Sequence, residues 1–398
     1  MTRRSVLVAH PSPDLYGSDR VALSTVEALV RHGHRVVVTL PHDGPLVPLV
    51  EAAGAEVALC RSPVLRKSAL RPSGMGSLLA TTVRSVGPGL RLLRSCDPDL
   101  VYVSTLTLPL WLVLARLAGR PSMCHVHEAE SGVPALVRRA LALPLLLCRS
   151  IVTNSEFSRN VLVSAVPGLR ARSQVLPNPV PAPSQVTAGR KDLTGLLRAL
   201  YIGRLSPRKG PQVAIAAVHE LRTRGLDVRL ELLGSIFPGY EWFADELRAS
   251  VADRRLTERV AFSGFQADIW PVIAAADVVL VPSVADESFG NAAVEAVLAA
   301  RPVIASDAGG LQEAVEGYAS AQVVPPEAPT AVADAVEKVV ANWPSYRAAA
   351  AADAAVAAER HAPAFYGDRL ERLVLAALQD CRPISTTARP GRQTGRSR

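Results

Sequence analysis

Short apolar runs alternate with helical stretches along all 398 residues, which predicts an α/β protein of two doubly wound, Rossmann-like parallel sheets facing a central cleft. Three observations carry this. The apolar runs are near-continuous, as strands covered by helices on both faces require. The length exceeds one ordinary domain and suits two of about 150–200 residues. The pattern Leu29-x-x-x-Gly33-x-x-Val36 returns as Leu221-x-x-x-Gly225-x-x-Val228. In each copy a helix ends on a left-handed glycine and turns into the second strand of a sheet.

Strands of the first half are expected at Ser5–His10, Arg35–Pro41, Glu56–Cys60, Leu100–Ser104, Ser122–Glu128, Ser150–Ser155 and Gln174–Pro177. The longest uncharged run, Leu100 to Ala115, is too short for a membrane span. It divides into a β-branched half and a leucine-rich half, hence strand then helix. Pro181 to Lys191 is polar and proline-bearing, the best boundary. It separates a first domain, 1–182, from a second, 193–360, through a linker over 183–192. The second half repeats the scheme at Arg198–Gly203, Val228–Gly234, Arg259–Phe265, Val278–Pro282, Pro302–Ser306 and Ala321–Val324. Helices follow over Thr330–Asn342, Ser345–Arg360 and Ala364–Gln379, then a basic tail, 381–398, read as disordered.

The net charge of +8 is uneven. Arg61–Arg94 holds seven basic residues and Cys381–Arg398 five, with no acid in either segment. The rest of the chain has 32 basic against 36 acidic residues. With aromatics at only 5%, a general nucleic-acid grip is excluded. Five scattered cysteines, Cys60, Cys96, Cys124, Cys148 and Cys381, form neither a disulfide framework nor a zinc knuckle and read as reduced thiols. Met1-Thr2-Arg3-Arg4 runs directly into a strand pattern with no signal peptide. A cytoplasmic protein is therefore expected. Arg61–Arg94 reads either as a solvated loop or as a basic amphipathic helix in peripheral contact with the inner face of an anionic membrane.

An open parallel sheet binds ligands outside the carboxyl ends of its strands. The richest such loops lie in the second half. After Val278–Pro282 comes an acidic loop with Glu287, and Ser288-Phe289-Gly290-Asn291 opens a helix carrying Glu295. Carboxylates accept from sugar hydroxyls, and free amides at a helix N-terminus favour anions. Asp307-Ala308-Gly309-Gly310 offers a second such terminus. Gly203-Arg204-Leu205-Ser206-Pro207-Arg208-Lys209-Gly210 presents three cations between glycines, suited to a diphosphate. On spacing alone, Glu287 and Glu295 read equally as a solvated loop charge and an ordinary helix-face residue.

The motifs YIGRLSPRKG, LLGS, SGFQADI and PSVADESFGNAAVEAVLAARPVIASDAGGLQEAV span most of residues 198–315. They resemble the retaining, nucleotide-sugar-dependent glycosyltransferases of family 4, which have the GT-B fold. The resemblance implies that the first domain takes the acceptor and the second the donor, with the C-terminal helix, 364–379, packing back on the first. It implies that Arg204 and Lys209 bind the donor diphosphate. Glu287 contacts the transferred sugar, beside Ser288, Phe289, Gly290 and Asn291. Glu295 holds the ribose, and Phe265 and Gln266 lie near the base. Ala300 departs from the family's usual glycine.

In the first half, Gly17 and Ser18 match a glycine-rich first loop that lies against donor phosphate or sugar, with one glycine where two are common. His127, ending Met123-Cys124-His125-Val126-His127-Glu128, matches a histidine beside the reacting sugar. Asn154-Ser155 and Asn178-Pro179 match cleft-side positions or act as structural caps. Asp97-Pro98-Asp99 precedes its strand, away from the cleft, and reads as a polar turn. No metal and no cofactor are expected. The implied partners are a UDP- or GDP-linked sugar donor and a hydroxyl-bearing glycan, lipid-linked or small-molecule acceptor. Two other functions fit the same residues: a sugar-nucleotide epimerase or phosphorolytic enzyme, and a non-catalytic subunit that binds nucleotide sugars.

Overall fold

In the computed structural model, residues 3–65, 72–129, 131–236 and 239–379 are described. Among the described residues, near-continuous apolar runs become thirteen strands in two all-parallel sheets. The first holds β1 (Ser5–Ala9), β2 (Arg35–Leu40), β3 (Glu56–Leu59), β4 (Leu100–Val103), β5 (Ser122–Val126), β6 (Ser150–Thr153) and β7 (Ser173–Val175). Their order is β3-β2-β1-β4-β5-β6-β7. The second holds β8 (Leu197–Ile202), β9 (Val228–Leu233), β10 (Val260–Gly264), β11 (Val278–Val281), β12 (Val303–Ser306) and β13 (Ala321–Val324). Their order is β10-β9-β8-β11-β12-β13. Winding therefore reverses between β1 and β4, and between β8 and β11. Leu7 stands opposite Val37 and Val101, and Val279 opposite Leu200 and Val303.

The two-residue period of β1 divides the first domain's core. Leu7 and Ala9 pack with Val101, Cys124, Trp111 and Leu145 on one face. Val6 and Val8 pack with Val26, Leu29, Leu100 and Tyr102 on the other. The second face also takes Tyr366, Leu370 and Val374 from the C-terminal helix Pro363–Gln379. Thr25 and Tyr366 share a hydroxyl–hydroxyl hydrogen bond of 2.6 Å, and His34 Nε2 lies 2.7 Å from Glu371 Oε2, both inside the protein. The second sheet is likewise covered on both sides, by Val213, Leu221 and Val336 on one and by Phe289, Val294 and Leu311 on the other.

Both duplicated glycines are left-handed as expected, with φ of 86° at Gly33 and 93° at Gly225. Ala300 is left-handed too, with φ of 54°, although it carries a Cβ. The run from Leu100 to Ala115 is strand β4 followed by the helix Pro109–Leu117. Between the two sheets, Arg190 forms a two-pronged pair with buried Asp277, just before β11, at 2.6 and 2.8 Å. Asp97 and Asp99 lie at the amino end of β4, where Asp97 pairs with Arg120 and Asp99 accepts from the Ser5 amide. The four described cysteines are free and buried, and Cys381 lies outside the described residues, as does the tail 381–398. No described helix is long and apolar enough to cross a membrane.

Candidate active site

Loops at a topological switch point share a crevice, and here the loops after β8 and β11 meet directly. Gly210, left-handed at φ 74°, lies so close to the Pro282 carbonyl that a Cβ would stand 1.8 Å from it. This close approach sets Lys209 on Glu287. Lys209 Nζ donates to both carboxylate oxygens, at 2.8 and 2.7 Å, and the Ser283 hydroxyl donates to the same group. Burial by itself raises the Glu287 carboxyl. The charge and hydrogen bonds of Lys209, with Ser283 and nearby Arg208, outweigh it and hold the group below its ordinary value.

Glu287 also bridges to the next loop. Its carbonyl accepts from the Gly310 amide at 2.8 Å, and its amide donates to Ala308 at 3.2 Å. Gly290, at φ 127°, opens the helix Asn291–Leu298, and a side chain there would strike Leu311. Glu295 follows within that helix, half-buried. Burial pushes its carboxyl up to about 7, against the opposing charges of Arg20 and Lys209. A carboxyl so placed, with no hydrogen bond from the described residues, is open to ligand hydroxyls. Phe265 and Gln266 sit beyond β10, with Phe265 exposed.

The first domain closes the other wall. Gly17 faces Asn291, whose Nδ2 is 3.7 Å from where a Gly17 Cβ would stand. Ser18 beside it is exposed. Arg204 lies 5.5 Å from the centre of the Tyr16 ring. Arg20 donates to the Ala267 carbonyl at 3.4 Å, next to Phe265 and Gln266. Asn178 Nδ2 donates to Asn291 Oδ1 at 2.9 Å, and Asn154 Nδ2 to Ser288 Oγ at 3.2 Å. The Ser155 and Ser158 hydroxyls both donate to the Ser288 carbonyl, at 2.5 and 3.2 Å. In return Glu313 accepts from the Glu156 and Phe157 amides at 2.8 and 2.6 Å, capping the helix Glu156–Ala165 across the cleft. Ser155 thus does both things its sequence allowed: it caps its own helix through the Ser158 amide and reaches the opposite domain.

Behind this wall is a histidine cluster. The strand expected to reach Glu128 ends at Val126, yet the rings of His125, inside it, and His127, just beyond it, are 4.0 Å apart. His125 Nδ1 lies 2.6 Å from the Tyr102 hydroxyl. Burial, and the neighbouring His10, push His127 down to about 3, so it is neutral at ordinary pH. Its Nδ1 is buried with no hydrogen-bond partner among the described residues. His10 joins Ser104 at 2.5 Å and Asp19 at 2.8 Å, and Asp19 accepts from the Tyr16 amide at 2.8 Å. His10, Asp19, Arg20 and Glu313 were not singled out in the sequence. For Asp19 a signal existed, three residues into a helix after a loop. For the others the partner is remote in the chain. Among the described residues no three metal-binding side chains come together.

Comparison with known proteins identifies the family. Residues 16–182 match the family model described as Glycosyltransferase Family 4, and residues 197–342 the model described as Glycosyl transferases group 1. The chain is 30% identical over 318 residues to the glycogen synthase of Mycobacterium tuberculosis (strain CDC 1551 / Oshkosh), covering 72% of this chain and 73% of that one. It is 28% identical over 313 residues to the 2-deoxystreptamine glucosyltransferase of Streptomyces kanamyceticus, covering 71% and 79%. The crystal structure of Anabaena Alr3699/HepE in complex with UDP-glucose superposes with a TM-score of 0.79 over 94% of this chain and 100% of that one, at 22% identity. Two matched halves, a two-sheet architecture and a relative aligned over nearly three quarters of either chain lead to one conclusion: the protein is a glycosyltransferase enzyme, a member of family 4 with the GT-B fold.

Proposed function

We propose that the cleft transfers a sugar from a UDP- or GDP-linked donor to an acceptor hydroxyl, with retention of anomeric configuration and without a divalent cation. The observation that carries this is the meeting of Lys209, Glu287 and the Glu295 carboxyl at one switch point, beside the free amides that open the helix Asn291–Leu298. Arg204 and Lys209 hold the diphosphate, and Gly17 and Ser18 allow its close approach. Glu287, Ser288, Phe289, Gly290 and Asn291 receive the sugar, Glu295 the ribose hydroxyls, and Phe265 and Gln266 the base. His127, neutral, hydrogen-bonds the reacting sugar or the acceptor. The bond from the anomeric carbon to phosphate oxygen breaks while the acceptor oxygen bonds to that carbon on the same face. The acceptor proton passes to the leaving phosphate oxygen. Cations and helix amides stabilise the charge that develops there.

The acceptor is a glycan, lipid-linked or small-molecule hydroxyl compound read by the first domain. A cytoplasmic site with peripheral contact to an anionic membrane through Arg61–Arg94 suits this. The helix Pro72–Cys96 in that segment exposes Arg84, Arg91 and Arg94, while Arg66, Lys67 and Arg71 lie outside the described residues.

Thermal shift of the purified chain against UDP-, GDP- and TDP-sugars tests the donor, since a true donor stabilises by mass action. NMR of the product from the stabilising donor reports the anomer. One nucleotide sugar should stabilise the chain, and the linkage should keep the donor's configuration. No stabilisation by any donor overturns the site. An inverted product overturns retention, and donor epimerisation or phosphorolysis without transfer selects the other enzyme class.

A further inference from the structure

We propose that Tyr16 is a positioning residue for the donor: its ring, fixed by a buried His10–Asp19 pair in the first domain, sets the direction of the Arg204 guanidinium on the opposite wall. This rests on the reading of Arg204 as a diphosphate ligand and adds the group that aims it.

The backbone at Arg204 is settled within its own domain. The Tyr201 hydroxyl donates to the Arg204 carbonyl at 2.9 Å, and the Leu205 amide donates to the Ser235 carbonyl at 2.9 Å. Gly234, at φ 151°, lies so near the Gly203 carbonyl that a Cβ would stand 1.9 Å from it. These contacts fix the main chain and do not reach the guanidinium. An arginine side chain carries about 2 kcal/mol of rotamer entropy. A half-buried arginine head at a cleft therefore needs a surface to lie on if it is to meet phosphate in one geometry.

The other domain supplies an aromatic surface. The Arg204 guanidinium carbon is 5.5 Å from the centre of the Tyr16 ring, within the range of cation–π attraction, and Tyr16 is half-buried as well.

Tyr16 is itself anchored from behind. It precedes the helix Gly17–Arg31, and Asp19, third in that helix, accepts from its amide through Oδ2 at 2.8 Å. Asp19 Oδ1 lies 2.8 Å from His10 Nε2, and His10 Nδ1 lies 2.5 Å from the Ser104 hydroxyl. A carboxylate oxygen only accepts, so Nε2 carries the hydrogen of the first of these bonds. His10 and Ser104 directly follow β1 and β4, so the anchor is the switch point of the first sheet. His10, Asp19 and Ser104 are each 3% exposed or less, so they act on the reaction through the loop they hold. Further along the same loop, the Leu46 amide donates to the Pro13 carbonyl at 2.8 Å. The loop is pinned on both sides of Leu15, which gives the Tyr16 backbone one place to stand. Arg204 is thereby aimed before the donor arrives, with part of its rotamer entropy already lost.

Calorimetric titration of the full chain with UDP, GDP and TDP tests this without an acceptor, and the diphosphate that binds the parent is used throughout. Arg204→Gln should weaken binding about thirtyfold, through loss of a charge-assisted contact to phosphate. Tyr16→Leu keeps bulk and removes the π face, and should weaken binding about tenfold; Tyr16→Phe should weaken it by no more than about threefold. Adding Tyr16→Leu to Arg204→Gln should weaken binding by less than about twofold more, because the ring acts through the arginine. Asp19→Ala should match Tyr16→Leu, whereas Asp19→Asn, which still accepts from the Tyr16 amide, should stay within about threefold of the parent. Asp19→Ala strands a buried histidine; if that variant does not fold, Tyr16→Leu carries the test. Additive losses in the double variant would mean that the ring meets the ligand itself, and they overturn the proposal. Tyr16→Leu that binds like the parent while Arg204→Gln does not overturns it too; both results leave the donor reading standing. A parent that binds no diphosphate, or binding indifferent to Arg204→Gln, overturns the donor reading and this proposal with it.

Discussion

Replacing Lys209 by methionine keeps the length of the side chain and removes its charge. Glu287, 8% exposed, then keeps only the Ser283 hydroxyl and the more distant charge of Arg208. Breaking one partner of a buried pair costs about 3–5 kcal/mol, because the other charge is left without compensation. The Lys209 side chain is 24% exposed, so water screens part of the pair. A loss of about 2–3 kcal/mol follows. Adding Glu287→Gln to Lys209→Met removes the stranded charge and should restore at least half of that loss. Urea unfolding of the parent, both single variants and the double variant at neutral pH gives the coupling energy directly, expected near 2 kcal/mol. Its pH dependence has a definite sign. Glu287 is held below its ordinary value in the folded chain. Its contribution is therefore present above the unfolded carboxyl's pKa and is lost as pH falls through the depressed folded value. The coupling should shrink in acid. A coupling below about 0.5 kcal/mol at neutral pH, or one unchanged in acid, would refute the account of how Lys209 fixes Glu287.

Three further perturbations test other parts of the structure. Ala300→Gly removes a Cβ from a left-handed residue and should stabilise the chain by about 0.5–1 kcal/mol, read as a higher melting temperature; a lower one would show that the methyl group's packing outweighs its strain. Glu295, raised to about 7, favours its protonated form in the fold, so its stabilising effect is present below the ordinary carboxyl range and disappears as pH rises through 7. Melting temperature should fall between about pH 4.5 and 7 in the parent and stay level in Glu295→Gln; parallel curves would contradict the burial argument. In Gly310→Ala the new Cβ would stand 2.4 Å from the Ser288 carbonyl and 2.9 Å from Ser155 Oγ. Donor-induced stabilisation should drop by about tenfold in affinity while the free protein still folds, because the Ser288 loop moves; an unchanged donor titration would mean that this cross-domain contact does not shape the donor site.

The candidate site was legible wherever its signal was local. The loop Gly203–Gly210 and the run from Glu287 to Glu295 each sit between a strand and a helix, so residue type and spacing alone placed them at the carboxyl edge of a sheet. The two-residue spacing of His125 and His127 places their rings side by side at the end of β5. The partners were not legible. Lys209 and Glu287 are 78 residues apart in the chain, and Ser155 and the Ser288 carbonyl it meets are 133 apart. No periodicity links such pairs, and Glu313 reads as one more helix-face acid until the Glu156–Ala165 helix is seen pointing its amides at it.

What the amino-acid sequence determined alone is the architecture: apolar run length and β-branching select parallel strands, and glycine at 33 and 225 ends the helices that feed them. The tertiary structure decided how the two walls answer each other. It set a lysine on a carboxylate and turned first-domain hydroxyls onto the Ser288 carbonyl. Backbone preferences act over a few residues, whereas charge pairing, hydrogen bonding between domains and exposure depend on which distant segments the folded chain brings within a few ångströms.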